Sequence, residues 1–284
     1  MLKHSTALKK DEIDSIAIGT FDGLHLGHQQ LIKKLTPKGA LFIIDKEKAN
    51  LTPGEKRSEY TKFPCFYYKF DQIKNFDCNG FTSFLKKEFP NLKNIIIGYD
   101  FKFGAARSCD IYDLKNLFSG QITIVDEFFL DGISVHSSKV REFIQNGEIK
   151  KANKLVGREY CISGKHIRGQ GLGKKELVPT INLEVGKYIL PKNGVYATFT
   201  KIDNHIYPSV TFIGVRESSD GKFSLETHII GQEIEVSKVE TIDVCFIDFI
   251  RENRKFDSFT ELKLQIFKDI KSAKKIVDEN KIDG

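Results

Sequence analysis

The stretch Gly19–His28 reads GTFDGLHLGH and lies between two segments of different periodicity. The apolar run Ile16–Ile18 before it indicates a buried strand, and Gln29–Leu35 after it has the spacing of an amphipathic helix. Glycines let the backbone turn tightly and approach an anion closely. The start of a helix adds unpaired N–H groups and the positive end of a dipole. The stretch therefore predicts a strand–turn–helix unit that binds a polyphosphate.

Two histidines, His25 and His28, stand three residues apart in this turn. Imidazole N–H groups can donate hydrogen bonds to charge that develops on a phosphate. The alternative is that the histidines only cap the helix. Glycines at both ends of Gly19–Gly23 and the strand before them favour phosphate binding. The pattern resembles the His-x-Gly-His signature of the nucleotidyltransferase superfamily, which transfers a nucleoside monophosphate from a nucleoside triphosphate and releases pyrophosphate.

The composition is that of an ordinary soluble globular protein, with 284 residues, 40% hydrophobic and 29% charged. This length accommodates two domains. No signal-peptide pattern is present, and no apolar run approaches the roughly 18–20 residues that cross a bilayer, so no membrane partner is expected. The net charge of +6 is spread along the chain, which suits either ATP or a lysine-rich soluble surface. No basic stripe interleaved with aromatic residues indicates nucleic acid. Whether the chain forms a homo-oligomer is left open.

The five cysteines are odd in number and scattered, without Cys-x-x-Cys spacing. We expect a reducing, cytoplasmic location, with neither a disulfide framework nor a zinc site. They are Cys65, Cys78, Cys109, Cys161 and Cys245.

The first half alternates strand-like and helix-like segments, which predicts an α/β fold with a doubly wound parallel sheet over residues 1–157. Thr52 is expected to cap a helix that has Pro53 at its first position and Glu55 in a capping box. Ligands of such sheets bind beyond the carboxyl ends of the strands. The predicted strands after the first are 39–44, 66–70, 94–98 and 121–129.

Two further segments are expected to converge on the histidines. The segment 98–107 leaves a strand with Asp100, Phe101, Phe103 and Arg107, whose rings can stack on a planar ligand while the charged groups orient its polar edges. The alternative is a hydrophobic loop anchor. The segment Ser137–Arg141 places hydroxyls and cations at a helix start, which can clamp phosphates. The commoner alternative is a serine-capped helix with surface cations.

In the second half, residues 158–284, five short β-rich runs follow one another without helices, which predicts an antiparallel β-barrel. The runs are 160–165, 194–199, 209–212, 225–230 and 241–246. Ser258 is expected to cap a closing helix whose apolar stripe includes Ile266, Ala273 and Val277. The glycine-rich loop Gly169, Gly171, Gly173 can wrap phosphates. It leads to Thr180 and Asn182, whose oxygens suit Mg²⁺. Alone, such a loop is more often only a turn before a strand.

Taken in order, the motifs resemble the bacterial bifunctional riboflavin kinase/FMN adenylyltransferase family, also called FAD synthetase. The first half resembles its adenylyltransferase module, and Pro179–Asn182, Gly214–Arg216 and Glu226–His228 resemble its kinase module. The resemblance implies riboflavin, FMN, FAD, ATP and Mg²⁺ as small-molecule partners. For the adenylyltransferase module it implies that His25, His28 and Arg141 are catalytic, that they bind ATP together with Gly19, Phe21, Asp22, Gly23, Ser137 and Ser138, and that Asp100, Phe101, Phe103 and Arg107 face the flavin. For the kinase module it implies that ATP is bound by Gly169, Gly171, Gly173, Thr180 and Asn182, and that Thr180 and Asn182 also hold Mg²⁺. It further implies that Arg216 binds flavin and that Glu226 contacts flavin and acts as the catalytic base.

Some positions depart from the family pattern. Thr20 replaces a usual asparagine, Cys109 a glycine, and the segment 45–50 stands where the family carries Phe-x-Pro-His-Pro. These departures motivate one alternative, a riboflavin kinase with a weak or vestigial adenylyltransferase half. Another is a different nucleotidyltransferase, such as a cytidylyltransferase or a class I aminoacyl-tRNA synthetase. A third is a flavin-sensing protein without enzymatic activity, which would need neither the histidines nor Glu226.

Overall fold

The computed structural model describes residues 8–46, 50–167, 178–203, 205–217, 221–236 and 239–280. The contacts divide the chain into two compact units, Met1–Ser137 and Ser138–Gly284. No helix in these described ranges is long and apolar enough to span a membrane.

The first unit contains a five-stranded parallel sheet with the strand order β3-β2-β1-β4-β5, as the alternating sequence pattern predicts. Its strands are β1 Ser15–Gly19, β2 Gly39–Asp45, β3 Cys65–Lys69, β4 Asn94–Gly98 and β5 Gln121–Val125, with a small hairpin of β6 Phe129–Leu130 and β7 Ile133–Ser134. Its helices are α1 Leu26–Ile32, α2 Phe70–Ile73, α3 Cys78–Glu88 and α4 Ile111–Leu117.

Strand β1 is buried on both faces, because successive side chains of a strand point to opposite sides. Ile16 and Ile18 pack into one core with Phe42. Ala17 packs into the other core with Leu41. The chain leaves β1 towards β2 and β3 on one side and later returns to β4 and β5 on the other. The carboxyl ends of β1 and β4 therefore form the switch point where ligands bind in open α/β sheets.

The prediction for Thr52 is wrong. The segment Gly54–Tyr60 is a 3₁₀ helix whose N-cap is Pro53, with no side-chain cap. The Thr52 hydroxyl instead accepts the backbone N–H of Gly23 at 2.6 Å. The Thr52 hydroxyl oxygen, which local capping rules assign to the helix, is therefore used by a residue 29 positions away.

The expectation that the cysteines stay unpaired is also wrong. Cys78 is bonded to Cys109, and Cys161 to Cys245. Cys161 and Cys245 lie directly opposite each other on two antiparallel strands. Separations of 31 and 84 residues explain why spacing along the chain reveals neither pair. Cys65 stays outside both bonds.

The second unit contains a closed antiparallel barrel with the strand order β10-β11-β12-β9-β8-β13, which confirms the barrel predicted from the short β-rich runs. The prediction identified five of these strands and treated residues 179–182 only as a segment that leads into one. The strands are β8 Tyr160–Ile167, β9 Ile181–Val185, β10 Gly194–Ile202, β11 His205–Val215, β12 Phe223–Ile229 and β13 Ile242–Glu252.

Within the described ranges of this unit, three helices accompany the barrel: α5 Ser137–Gln145, which begins at the last residue of the first unit, α6 Ile149–Val156, and α7 Phe259–Glu279. The α6 residue Asn153 donates to the Phe246 carbonyl at 2.8 Å, so this helix is fastened to β13. Ser258 caps α7 as predicted, accepting the N–H of Glu261 at 3.2 Å. The domain boundary predicted at residue 157 stays a prediction. The contacts within the chain group α6 with the barrel.

Candidate functional site

The two histidines of the first unit form a stacked pair after β1. Their ring centroids are 3.6 Å apart and their planes differ by 19°. His25 is the N-cap of α1, and its Nδ1 accepts the backbone N–H of His28 at 3.3 Å. Because Nδ1 accepts, a neutral His25 carries its proton on Nε2. The capping alternative and the phosphate-binding interpretation are therefore compatible, since capping uses one nitrogen only.

His28 presents a buried nitrogen. Its Nδ1 has no hydrogen-bond partner within the described part of the chain. The pKa of His28 lies well below its usual value, chiefly because of burial, with the charges of His25, His136 and Arg57 adding to the effect. His28 is thus a neutral imidazole at neutral pH. A buried polar atom without a partner is rare in native proteins, and it marks a place where a ligand, an ion or a water molecule can bind.

The turn that carries the histidines is held by the segment after β2. The Asp22 carboxylate accepts the N–H groups of Asn50, Leu51 and Thr52 at 3.0–3.2 Å. Its backbone carbonyl accepts the Ser137 hydroxyl at 2.8 Å. Asp22 is 2% exposed, so its carboxylate shapes the turn. The predicted contacts of Asp22, Gly19, Phe21 and Gly23 with ATP stay predictions.

The loop after β4 contains the four residues predicted to face the flavin, and they differ in burial. Asp100 and Arg107 are exposed, and Phe101 is half-buried. Phe103 is buried, with its ring 5.3 Å from that of Phe81. Phe103 also exchanges two backbone hydrogen bonds with Cys109, both at 3.0 Å. Its position is that of the loop anchor named as the alternative, and the flavin contact of the four residues stays a prediction.

The helix α5 begins at Ser137, as the sequence predicts. Ser137 lies in the first unit, where its hydroxyl joins the turn at Asp22. Ser138 and Arg141 follow within the first turn or so of the same helix and are grouped with the second unit. Their predicted role as a triphosphate clamp stays a prediction.

In the second unit, a cluster of polar side chains surrounds Glu226 on β12. Arg216 donates to Glu226 Oε1 at 3.0 Å, and the Thr180 hydroxyl lies 3.5 Å from Oε2. Asn182 on β9 is the register partner of Glu226. The Arg216 and Glu226 side chains are 19% and 18% exposed, so Glu226 lies in a partly enclosed place. The cluster combines a carboxylate, a guanidinium, a hydroxyl and an amide.

The donors around Glu226 fit a magnesium ion in kind. Thr180, Asn182 and Glu226 offer hydroxyl, amide and carboxylate oxygens, which are hard ligands. His228 donates from Nδ1 to the Pro179 carbonyl at 2.7 Å, so it fastens the backbone next to Thr180. The glycines Gly169, Gly171 and Gly173 lie outside the described residues.

Sequence reasoning missed Arg57, which is fully buried behind the histidine turn and bonds to the Thr20 carbonyl at 3.2 Å. The segment that contains Arg57, Lys56 and Glu59 has the charged composition of an exposed helix. The only signal was its place shortly after the Leu51–Pro53 segment, which says nothing about burial.

The chain thus combines a parallel sheet, with histidines at its switch point, and a barrel, with a partly enclosed Arg–Glu–Thr cluster. Family models agree with this division. The model described as FAD synthetase matches residues 8–41, and that described as riboflavin kinase matches residues 156–277.

Curated relatives cover nearly the whole chain. The bifunctional riboflavin kinase/FMN adenylyltransferase of Buchnera aphidicola subsp. Schizaphis graminum is 31% identical, covering 94% of this chain and 96% of that one. The protein of the same name from Escherichia coli K12 is 28% identical, covering 95% of each chain. This chain therefore belongs to the bifunctional riboflavin kinase/FMN adenylyltransferase family, and the resemblance recognised in its motifs is confirmed.

A solved structure supports the fold. It is titled "Crystal Structure of Macrolide-efflux Protein from Streptococcus pneumoniae" and is 25% identical, with a TM-score of 0.82 over 92% of this chain and 94% of that one. The activity named in that title differs from the activities named for the curated relatives.

Proposed function

We propose that this chain makes flavin cofactors in two steps. ATP phosphorylates riboflavin to FMN with release of ADP, and a second ATP then transfers its AMP group to FMN, giving FAD and pyrophosphate. The observation that carries the proposal is that each unit has its own partly enclosed polar cluster within or next to its matched family segment. Two steps with different leaving groups need two such sites.

For adenylyl transfer, we assign the histidine pair to the triphosphate of ATP. A phosphate oxygen of FMN attacks the α-phosphorus, and pyrophosphate leaves, so no side-chain nucleophile is required. His28 Nδ1, which lacks a partner among the described residues, would donate to a phosphate oxygen, and His25 would donate from Nε2. Donors aimed at oxygens that gain charge lower the barrier. Ser137, Ser138 and Arg141 would hold the triphosphate.

For the kinase step, we assign the proton of the ribityl 5′-hydroxyl to Glu226. The hydroxyl oxygen attacks the γ-phosphorus, ADP leaves, and the carboxylate accepts the proton. Arg216 fixes one Glu226 oxygen by its 3.0 Å hydrogen bond. Thr180 and Asn182 would hold Mg²⁺, which neutralises phosphate charge when bound.

We further propose a cytoplasmic location, since both steps consume ATP. The two disulfides remove the cysteine argument for that location. Small-molecule substrates are the partners that this proposal requires.

A pair of variants tests the division of labour. Glu226→Gln keeps the side-chain shape and removes the base, so riboflavin phosphorylation should fall about 10²–10⁴-fold while FAD formation from supplied FMN is unchanged. His28→Ala should lower FAD formation about 10²–10³-fold and leave phosphorylation unchanged. Both rates are measured by chromatography of the flavins with ATP and Mg²⁺.

Exposed residues of the same types supply the controls: Glu184→Gln on β9 and His205→Ala on β11 should change neither rate. Loss of both activities in either folded site variant would refute the two-site assignment. If the wild-type chain forms FMN but converts none to FAD, the kinase with a vestigial adenylyltransferase half is the correct alternative.

A further inference from the structure

Arg57 is a fully buried arginine at the meeting point of three chain segments. It lies in the 3₁₀ helix Gly54–Tyr60 and is 0% exposed. Its Nη1 donates to the Thr20 carbonyl at 3.2 Å, and its Nε to the Thr52 carbonyl at 3.1 Å. Its Nη2 donates to Asp45 at 2.6 Å. The guanidinium therefore joins the ends of β1 and β2 to the segment that follows them.

An ion pair alone does not account for this burial. Arginine is almost never fully buried unless its charge is paired, because removing it from water is costly. Among the described residues, the carboxylate in contact is that of Asp45, which is itself 34% exposed. The other two hydrogen bonds go to main-chain carbonyls. Two of the three bonds thus fix the path of the backbone.

The backbone that Arg57 holds is unfavourable without support. Phe21 and Leu24 have φ angles of 50° and 39°, a region that costs roughly 1–3 kcal/mol for a residue other than glycine. Both lie between Thr20 and His25. The only backbone hydrogen bond described within this turn joins the Leu24 N–H to the Phe21 carbonyl at 3.2 Å. Contacts from the segment 50–57, together with the Ser137 hydroxyl on the Asp22 carbonyl, therefore hold the turn, and Arg57 supplies the contact nearest to β1.

We propose that Arg57 is a positioning residue for adenylyl transfer, which holds the Thr20 carbonyl and so fixes the Gly19–His28 turn in its reactive shape. The inference rests on the proposed function of the histidines. Arg57 touches no ligand, because its side chain is fully enclosed by protein. It also places a positive charge behind His28, which helps keep that imidazole neutral.

The test compares three substitutions in the full chain, with riboflavin phosphorylation as an internal measure of folding. Arg57→Met removes the charge and all three hydrogen bonds. Arg57→Lys keeps the charge and loses the fork geometry. Asp45→Asn removes the carboxylate charge and leaves the Thr20 contact in place. Lys56→Met is the matched control, because Lys56 directly precedes Arg57 in the same 3₁₀ helix and is 28% exposed.

Misplacing catalytic groups by about 1 Å costs on the order of 100-fold in rate. Arg57→Met should therefore lower kcat for FAD formation about 10- to 100-fold, with riboflavin phosphorylation within twofold of wild type. The kcat of Arg57→Lys for FAD formation should lie between those of wild type and Arg57→Met. The kcat of Asp45→Asn and that of Lys56→Met should stay within about threefold of wild type. Histidine NMR titration, with His28→Gln for assignment, should show a raised His28 pKa in Arg57→Met and no change in Lys56→Met.

Wild-type FAD formation in Arg57→Met would overturn the proposal, as would an equal loss of both activities. A loss in Asp45→Asn as large as in Arg57→Met would show that the ion pair, not the Thr20 contact, matters. If Arg57→Met does not fold, Arg57→Lys decides: a wild-type kcat overturns the proposal, and a several-fold lower one supports it. A wild-type chain that makes no FAD would refute the proposed function instead, and the His28 titration would still report the effect of Arg57.

Discussion

The barrel interior contains a closed ring of five buried hydroxyls, and breaking it should destabilise the second unit. Thr198 contacts Ser209 at 2.7 Å and Thr211 at 2.8 Å. Thr227 contacts Thr211 at 2.9 Å and Thr200 at 3.1 Å. Thr200 closes the ring by donating to Ser209 at 2.8 Å. All five residues are 0% exposed. The ring connects β10, β11 and β12, next to the Glu226 cluster.

The perturbation is Thr211→Val, which keeps the side-chain shape and removes two of the ring's hydrogen bonds. Each such bond contributes about 1 kcal/mol net. The four hydroxyls that remain all keep an acceptor, because the Ser209 hydroxyl also donates to the Thr198 carbonyl at 3.1 Å. Because two such bonds are lost, we expect the free energy of unfolding of the barrel to fall by about 2 kcal/mol.

Amide hydrogen exchange read by mass spectrometry measures this locally. Peptides from β10, β11 and β12 should exchange about 30-fold faster, the equivalent of about 2 kcal/mol at 25 °C. Peptides from β1 to β5 should be unchanged, because the ring lies within one unit. Thr260→Val, at an exposed position of α7, is the control and should leave exchange within twofold. Exchange in Thr211→Val within threefold of wild type would refute the reasoning.

Two further predictions concern titratable groups. Because burial, chiefly, lowers the pKa of His28 in the folded state, the unfolded chain binds more protons below pH 6.5. The unfolding free energy of the first unit should be complete above pH 6.5 and fall as pH decreases below it, by up to about 1.4 kcal/mol per pH unit from this group. Urea melts between pH 5.5 and 7.5 should show this slope, His28→Gln should reduce it, and an equal slope in that variant would contradict the assignment. Burial raises the pKa of the Cys65 thiol to about 11, so a maleimide at pH 7.5 should label the native chain slowly. It should label one thiol after unfolding without reductant and five after reduction; five before reduction would contradict both disulfides.

Periodicity was sufficient for the fold because the signals that define it are local. The run 94–98 matches β4 residue for residue, since three successive isoleucines between polar residues favour a buried strand. The predicted strand 121–129 extends too far, because β5 ends at Val125 and a separate hairpin begins at Phe129. Strand β9 was not counted among the barrel strands, since it is short and follows the glycine-rich segment.

The candidate site divides in the same way between local and distant determinants. His25, His28 and Glu226 could be predicted as site residues because motif spacing places their chemistry within a few residues. The bonds that shape these groups come from far along the chain: Thr52 lies 29 residues from Gly23, Arg57 lies 37 from Thr20, and Thr180 lies 46 from Glu226. Pairing over such distances follows from the register of packed strands, which a single sequence does not encode locally. Thr20 illustrates the consequence. Its side chain departs from the family pattern, yet the contact that Arg57 makes is to its carbonyl, which every residue type provides. A substitution at position 20 therefore leaves this part of the turn's support intact.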